Sequence, residues 1–330
     1  GGTRFILDCG TGLRMLSNRY SAVANDQGMD AHIFVTHYHW DHIQGLPFFG
    51  PLYSPQNRFH FYSFRSDFLG RDSLKRVFEA QMALPYFPVD LGAMSAAREF
   101  TELAGGEHLT VGDASIRTCW LNHPQGCLGF RFDTPDGSVV YATDNEPGRP
   151  EFDATLLELC SGADVLINDA QFTPEQLTGS RRGWGHSSWE ASVRLAKEAG
   201  VRQLLLFHHD PDSTDKDLDE ILRQSQSQLD NVCMAAEGMV LTMDRSRIDV
   251  TLPIARELMR HETNFAARVT GCLPDGRTFD EETVIRDLSI QGAFIQLNHI
   301  PKLQSTLQVT IRGLGGPEGC EDLVLRGHVV

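Results

Sequence analysis

Four side chains of types that bind metal ions lie within six residues of one another. They are two histidines, an aspartate and a third histidine in the run Val35-Thr36-His37-Tyr38-His39-Trp40-Asp41-His42. Imidazole and carboxylate groups suit zinc or similar first-row ions, and the run has no cysteine that would indicate a structural zinc knot. The types and the spacing therefore indicate half of a two-metal hydrolytic site.

The residues just before this run predict the element that positions it. Ile33-Phe34-Val35 is apolar and typical of a buried strand, so the metal-binding side chains follow at a strand end. His37 and His39 are two residues apart, and an extended backbone points both imidazoles to the same side. Asp41 and His42 fall where the chain turns, where they can face a second ion close to the first.

The pattern H-x-H-x-D-H after an apolar strand resembles the metallo-β-lactamase fold superfamily. The resemblance implies an α/β fold, the αββα sandwich, with further ligands at later strand ends. It assigns His123, after the apolar segment around Trp120, to the first metal, and Asp144 as the carboxylate that bridges both metals. His208 matches the last ligand, with His209 as its rival. The implied ligands are His37, His39, Asp41, His42, His123, Asp144 and His208.

A second segment indicates the branch of the superfamily. Gly185-His186-Ser187-Ser188 lies between an upstream acid and the Leu-Phe-His strand, which resembles the phosphodiesterases that include transfer-RNA 3′-processing nucleases and cyclic-phosphate phosphodiesterases. The resemblance implies that His186 protonates the leaving alkoxide and that Asp169 orients it. With Asp41, these are the candidate catalytic residues. Ser187 and Glu190 have capping-box spacing, which predicts a helix that continues to Gly200.

The expected chemistry is phosphodiester cleavage near neutral pH. Two divalent cations, zinc or manganese, would activate water and polarise the phosphoryl group, so no side-chain nucleophile is needed. An alkoxide is a strongly basic leaving group, and a positioned imidazolium accelerates its departure. His186 is expected to supply that proton.

Composition indicates a soluble enzyme with more than one domain. The chain has 330 residues, of which 41% are hydrophobic. No apolar run approaches the roughly 20 residues that span a membrane, and no leader is evident, so a cytoplasmic location is expected. The seven cysteines are odd in number, scattered and without C-x-x-C spacing. They are expected to be reduced thiols.

Charge bears on the substrate. The chain has 29 Lys and Arg against 44 Asp and Glu, a net charge of −15. Such a field repels long polyanions, which favours a small, possibly cyclic, phosphodiester over a structured RNA. An RNase Z-like nuclease of the same branch is the alternative enzyme, but no transfer-RNA-gripping arm is found.

The carboxyl-terminal part carries a different pattern. Arg256 and Arg260 form R-x-x-x-R, and Asp287, Ser289 and Gly292 form D-x-S-x-x-G further along. Together they resemble the PilZ domain, a small β-barrel that binds cyclic di-GMP, and the resemblance implies that all five contact this ligand. Arginines can stack on guanine and fork onto phosphate. The Asp, Ser and Gly are expected to form a turn.

The expected organisation is a hydrolase domain at 1–243, a linker at 244–253 and a PilZ-like domain at 254–330. Family members have further strands before the segment matching Arg4 to Gly12, and PilZ barrels usually run past Val330, so both ends are expected to be short. The expected partners are a small phosphodiester, cyclic di-GMP and a second copy in a homodimer, with no membrane or long nucleic acid. A non-catalytic cyclic di-GMP receptor is the alternative outside enzymes.

Overall fold

The computed structural model describes residues 2–22, 28–251, 261–289, 292–295, 297–302, 305–311 and 323–328. Contacts between Cα atoms divide the chain into two compact units. The first comprises residues 1–237 and 241–250, and the second comprises 238–240 and 251–330.

Two sheets form the centre of the first unit. One has four parallel strands in the order β1-β2-β3-β4, at Phe5–Leu7, Asp30–Phe34, Arg58–Phe64 and Ala97–Leu103. The other has seven strands in the order β11-β10-β9-β8-β7-β6-β5. From β5 to β11 they are His108–Val111, Ala114–Leu121, Cys127–Thr134, Gly137–Ala142, Val165–Asp169, Gln203–Phe207 and Val232–Met234.

Pairing within the larger sheet changes at β8. Strands β5 to β8 pair antiparallel, whereas β8 to β11 pair parallel. Strands β6, β8, β9 and β10 consequently run in one direction and end at the same edge of the sheet.

Six α-helices accompany the sheets in the described part of the first unit. From α1 to α6 they are Gly12–Ala22, Ser73–Gln81, Pro150–Cys160, Pro174–Thr178, Trp189–Ala199 and Asp215–Gln228. Short 3₁₀ helices occur at Trp40–His42, Leu46–Phe48, Gly50–Tyr53 and Leu91–Ala93.

Three apolar clusters define the layers. Phe34 and Phe64 of the first sheet pack against Phe130 and Phe132 of the second. A second cluster fills the space between the first sheet and the helices α1 and α2, and a third lies between the second sheet and α3 and α5. The order helix, sheet, sheet, helix confirms the predicted αββα sandwich for this unit.

One local expectation, the helix cap at Ser187, was wrong. Helix α5 is capped by Ser188, whose Oγ accepts from the Ala191 N–H, and not by Ser187. The Ser187 N–H donates to Asp169, which holds that residue outside the helix. The expected linker is also partly structured, because β13 (Ile248–Thr251) pairs with β12 (Val240–Met243) across a turn at Asp244.

The second unit contains a five-stranded antiparallel sheet in the order β16-β15-β14-β17-β18. From β14 to β18 the strands are His261–Cys272, Thr278–Ser289, Gly292–Ile295, Thr306–Ile311 and Leu323–His328. A small core includes Val269, Phe279, Ile285 and Ile311. This is a small β domain, and its described strands form a sheet.

The structure describes some of the residues predicted to bind cyclic di-GMP in this unit and not others. Arg256 and Arg260 lie outside the described residues. Asp287 and Ser289 were expected in a turn, but both belong to β15, and Ser289 pairs with Gly292 of β16. The described antiparallel pairing of β15 with β16 therefore includes Asp287, Ser289 and Gly292 as strand residues.

No helix in the described ranges is long and apolar enough to cross a bilayer. The six cysteines of those ranges are free thiols, and Cys9, Cys119, Cys127 and Cys160 are buried.

Candidate active site

Strand ends from both sheets meet around one cluster of side chains. His37 follows β2, while His123 follows β6 and Asp144 follows β8. Asp169 is the last residue of β9 and His208 directly follows β10. Every histidine and carboxylate that the sequence predicted as a metal ligand lies in this cluster.

The first set of potential ligands is His37, His39 and His123. Their donor atoms lie within 4.8 Å of one another. His123 Nε2 is 3.0 Å from His39 Nδ1, while His123 Nδ1 donates to the Gly185 carbonyl at 2.8 Å. That bond fixes the His123 tautomer and leaves Nε2 free to bind a cation.

The second set is Asp41, His42 and His208. His42 Nε2 lies 3.2 Å from Asp41 Oδ2, and His208 Nε2 lies 3.3 Å from the same oxygen. Asp144 reaches both sets, because Oδ2 is 3.3 Å from His42 Nε2 and Oδ1 is 3.8 Å from His37 Nε2. Its location between the sets is the one that a bridging carboxylate requires.

Asp8 supports this cluster and was missed by the sequence analysis. Its carboxylate accepts hydrogen bonds from the Thr36 N–H at 2.7 Å and from the Tyr141 hydroxyl at 2.9 Å. Its Oδ2 is 2.8 Å from His42 Nδ1, so His42 Nε2 faces the other ligands. The sequence signal was an acid after the short apolar strand Phe5–Leu7, the same signal that identified Asp144.

The pKa values match metal binding. Burial lowers the pKa of His123 to about 4, and burial together with His42 holds the pKa of His37 well below its usual range. Both rings are therefore neutral near pH 7. Burial opposes ionisation of Asp144, but its hydrogen bond to His42 and the nearby His208 hold its pKa below the ordinary value. His37 and His123 thus offer neutral imidazoles beside the ionised carboxylate of Asp144.

The pKa of His42 moves in the opposite direction. Burial alone would lower it, but the Asp8 carboxylate, aided by Asp144 and Asp41, raises it above the ordinary value. Three carboxylates around one imidazole make the site strongly attractive to positive charge.

One buried atom tests whether metal ions fit this set. His37 Nε2 has no hydrogen-bond partner in the described part of the chain, although it points into the cluster. A buried polar atom without a partner is costly, and a cation among these nitrogens and carboxylates would satisfy it. The residues therefore fit a pair of divalent ions with nitrogen and oxygen ligands.

His186 lies at the edge of the cluster. Its Nδ1 is 2.8 Å from Asp169 Oδ2, and its ring stacks on His208 with centroids 5.0 Å apart. Asp169 is fully buried, and its Oδ1 accepts from the backbone N–H groups of Ser187 and Gln171. The carboxylate is therefore fixed, and the imidazole presents Nε2 as its remaining nitrogen.

Glu146 holds the loop that carries His186, and no sequence signal identified it. Its carboxylate accepts from the N–H groups of Gly183, at 2.8 Å, and Gly185, at 2.9 Å. Gly185 has a φ of 89°, and a Cβ there would lie 2.3 Å from His123 Nδ1. Only glycine permits this close approach of the loop to the histidine.

Backbone strain is concentrated at the site. Asp8, Asp144 and His208 have φ values of 59°, 51° and 58°, and each lies just after a strand. A left-handed conformation at a non-glycine residue costs on the order of 1–3 kcal/mol and is retained at functional sites. This conformation turns the three side chains into the cluster.

The two adjacent histidines after β10 have different environments. His208 faces Asp41 and Asp144, whereas His209 Nε2 lies 3.3 Å from the Ala235 carbonyl. The structure therefore brings His208 into the cluster and leaves His209 outside it. The cluster as a whole offers the ligand types that a metal-dependent hydrolase needs.

Comparison with known proteins identifies the family. Residues 3–209 match the family described as "Beta-lactamase superfamily domain". The chain therefore belongs to this superfamily, and it is a metallo-hydrolase.

Curated relatives agree with this assignment. Ribonuclease Z of Methanosarcina mazei is 27% identical over 293 residues, covering 73% of this chain and 88% of that protein. The probable metallo-hydrolase YhfI of Bacillus subtilis is 27% identical over 219 residues, covering 63% and 76%. The match to ribonuclease Z of Brevibacillus brevis is 28% identical over 160 residues, or 47% of this chain, and spans about half of that protein, 46%.

Solved structures share the fold. The YhfI protein of Bacillus subtilis superposes with a TM-score of 0.52 at 19% identity, covering 75% of this chain and 86% of that one. Human tRNase Z, short form, superposes with a TM-score of 0.52 at 20% identity, covering 72% and 88%.

Asp8→Asn should weaken metal binding about 10–100-fold, because an amide supports the His42 imidazole less well than a carboxylate. Tyr141→Phe removes a single hydrogen bond to Asp8 and should cost less. Zinc affinity, measured by competition with a chromophoric chelator, checks both. Equal affinity in Asp8→Asn and the unaltered protein would show that Asp8 does not support the ligand.

Proposed function

We propose that the protein hydrolyses phosphodiesters with an alkoxide leaving group. The observation that carries this proposal is the pair His186 and Asp169, beside the metal-ligand cluster. A histidine held by a buried carboxylate is a suitable proton donor for a basic leaving group. An activated leaving group would not need such a donor.

The ligands divide into two groups with one shared residue. His37, His39 and His123 would hold one divalent cation, and Asp41, His42 and His208 would hold the other, with Asp144 common to both. When bound, the cations supply water activation and stabilisation of developing negative charge.

The chain's own groups do the rest. Asp169 orients the His186 ring through Nδ1, so a proton on Nε2 is available to the departing oxygen. Stacking on His208 keeps the ring at the edge of the cluster, where a substrate would enter. Asp8 and Glu146 keep His42 and the His186 loop in place.

Two exposed indoles near the site favour a substrate that carries a base. Trp40 and Trp184 are 71% and 52% exposed, and each is two residues or fewer from a residue of the cluster. The Arg181 guanidinium lies 4.4 Å over the Trp184 ring, which adds positive charge at this rim. Aromatic rings of this kind stack on nucleobases.

The substrate could be a small nucleotide or a long RNA, and two observations favour different answers. The net charge of −15 favours a small nucleotide, such as a cyclic phosphodiester, over a long polyanion. The ribonuclease Z relatives favour RNA. We propose the small phosphodiester and keep RNA processing as the second candidate, so precursor transfer RNA belongs in the assay.

His186→Ala should reduce kcat about 10²–10⁴-fold on a 2′,3′-cyclic nucleotide, whose leaving group is an alkoxide. It should change kcat much less on bis(4-nitrophenyl) phosphate, because nitrophenolate leaves without a proton. Steady-state rates of the manganese- or zinc-loaded protein on both substrates provide the measurement.

His209→Ala is the matched control, since His209 is a neighbouring histidine whose ring faces the Ala235 carbonyl. It should retain the rate on both substrates. An equal loss on both substrates in His186→Ala would contradict proton donation. Turnover of precursor transfer RNA without turnover of the cyclic nucleotide would favour the nuclease.

We also propose that the second unit binds cyclic di-GMP and regulates hydrolysis. Support comes from the D-x-S-x-x-G pattern, whose Ser289 in β15 pairs with Gly292 in β16. It comes as well from the small antiparallel β domain that carries it. Arg256 and Arg260 are the proposed contacts to the guanine bases and phosphates.

Arg260→Ala should weaken cyclic di-GMP binding about 10–100-fold through the loss of charged hydrogen bonds. Isothermal titration calorimetry of the full chain measures this, with cyclic di-AMP as the ligand control. Arg277→Ala, which removes an exposed arginine paired with Asp275 in the same unit, should bind normally. Absence of cyclic di-GMP binding by the unaltered chain would reject the proposal.

A further inference from the structure

A second group of metal-binding side chains lies at the opposite ends of the strands in the first sheet. Asp30 and His32 belong to β2, near its amino-terminal end, whereas the catalytic histidines follow the carboxyl-terminal end of the same strand. His60 of β3 pairs directly with His32, and Glu99 of β4 pairs directly with His60. The parallel register therefore sets these side chains next to one another on rigid elements.

The donor atoms are close together. His60 Nε2 is 3.2 Å from Asp30 Oδ1, and donor atoms of Asp30, His32 and His60 lie within 4.8 Å of one another. The two imidazole rings stack with centroids 4.6 Å apart and planes 13° apart. Two neighbouring imidazoles and a carboxylate are a ligand set that suits zinc and similar ions.

Outer contacts orient both rings. His60 Nδ1 lies 3.1 Å from Glu99 Oε2, and Arg58 binds the other oxygen of Glu99 at 2.9 Å. His32 Nδ1 lies 3.1 Å from the Tyr62 hydroxyl. A histidine that binds a metal commonly engages its other nitrogen with a carboxylate or a hydrogen-bonding neighbour, and here both rings do so through Nδ1. Nε2 of each ring is left for the cation.

The charges around Asp30, His32 and His60 favour binding of a cation. Asp30 and Glu99 add negative charge, and the side chain of His60 is only 20% exposed.

We propose that Asp30, His32 and His60 bind one further divalent transition-metal ion of the zinc class, with Glu99 and Tyr62 as positioning residues. The ion would join β2 and β3 at the end of the sheet remote from the hydrolytic cluster. The alternative is a surface network in which His60 pairs with Asp30 and Glu99 and no metal binds.

The test is the zinc content of the full chain after equilibrium dialysis at micromolar free zinc. The unaltered protein should retain one equivalent more than His60→Gln. Glu99→Gln should keep the site but weaken it about 10–100-fold. His108→Gln is the control, because His108 is an exposed strand histidine bonded to Ser115 and should leave the zinc content unchanged. Phosphodiester hydrolysis should be unaffected by all three changes.

Equal zinc content in the unaltered protein and in His60→Gln would overturn the proposal in favour of the ion-pair network. A variant is folded if it retains hydrolysis and if its melting temperature in the presence of chelator equals that of the unaltered protein. Asp30→Asn gives a second route if His60→Gln folds poorly, because the Asp30 side chain is 63% exposed. It should also lower the affinity for the further ion.

Discussion

The buried Asp8 carboxylate is the interaction on which the site depends. It joins the end of β1 to Thr36 after β2, to His42 among the ligands and to Tyr141 of the other sheet. One side chain thus connects both sheets with the segment that carries the first metal ligands. Because a buried carboxyl group needs hydrogen-bond partners, these contacts from both sheets and from the ligand segment stabilise it together, so fold and site are coupled.

Three residues of the site have unfavourable backbone conformations, which the surrounding sandwich stabilises. Asp8, Asp144 and His208 adopt left-handed backbone conformations directly after strands. Aromatic packing of Phe34 against Phe130 and Phe132 holds together the two sheets whose strands lead to these residues. Glu146 provides the equivalent support for the loop that contains Gly185 and His186.

Much of this arrangement could be predicted because its signals are local. His37 to His42 form a compact motif, and Asp144 and His208 each follow an apolar strand, so type and position are visible together. Asp8 and Glu146 act through contacts between residues far apart in sequence, and a lone acid does not reveal its partner. The sequence analysis selected Ser187 as the helix cap because both Ser187 and Ser188 are suitable cap residues. In the structure the Ser187 N–H donates to Asp169, and Ser188 caps the helix.

We propose that one cluster at the meeting edge of the two sheets holds two cations that share Asp144. Anomalous diffraction at the zinc absorption edge, from crystals of the zinc-loaded full chain, tests it most directly. Two adjacent peaks are expected at this cluster, one contacted by His37, His39 and His123, the other by Asp41, His42 and His208, with Asp144 touching both. A single peak, or two peaks of which Asp144 touches only one, would contradict it.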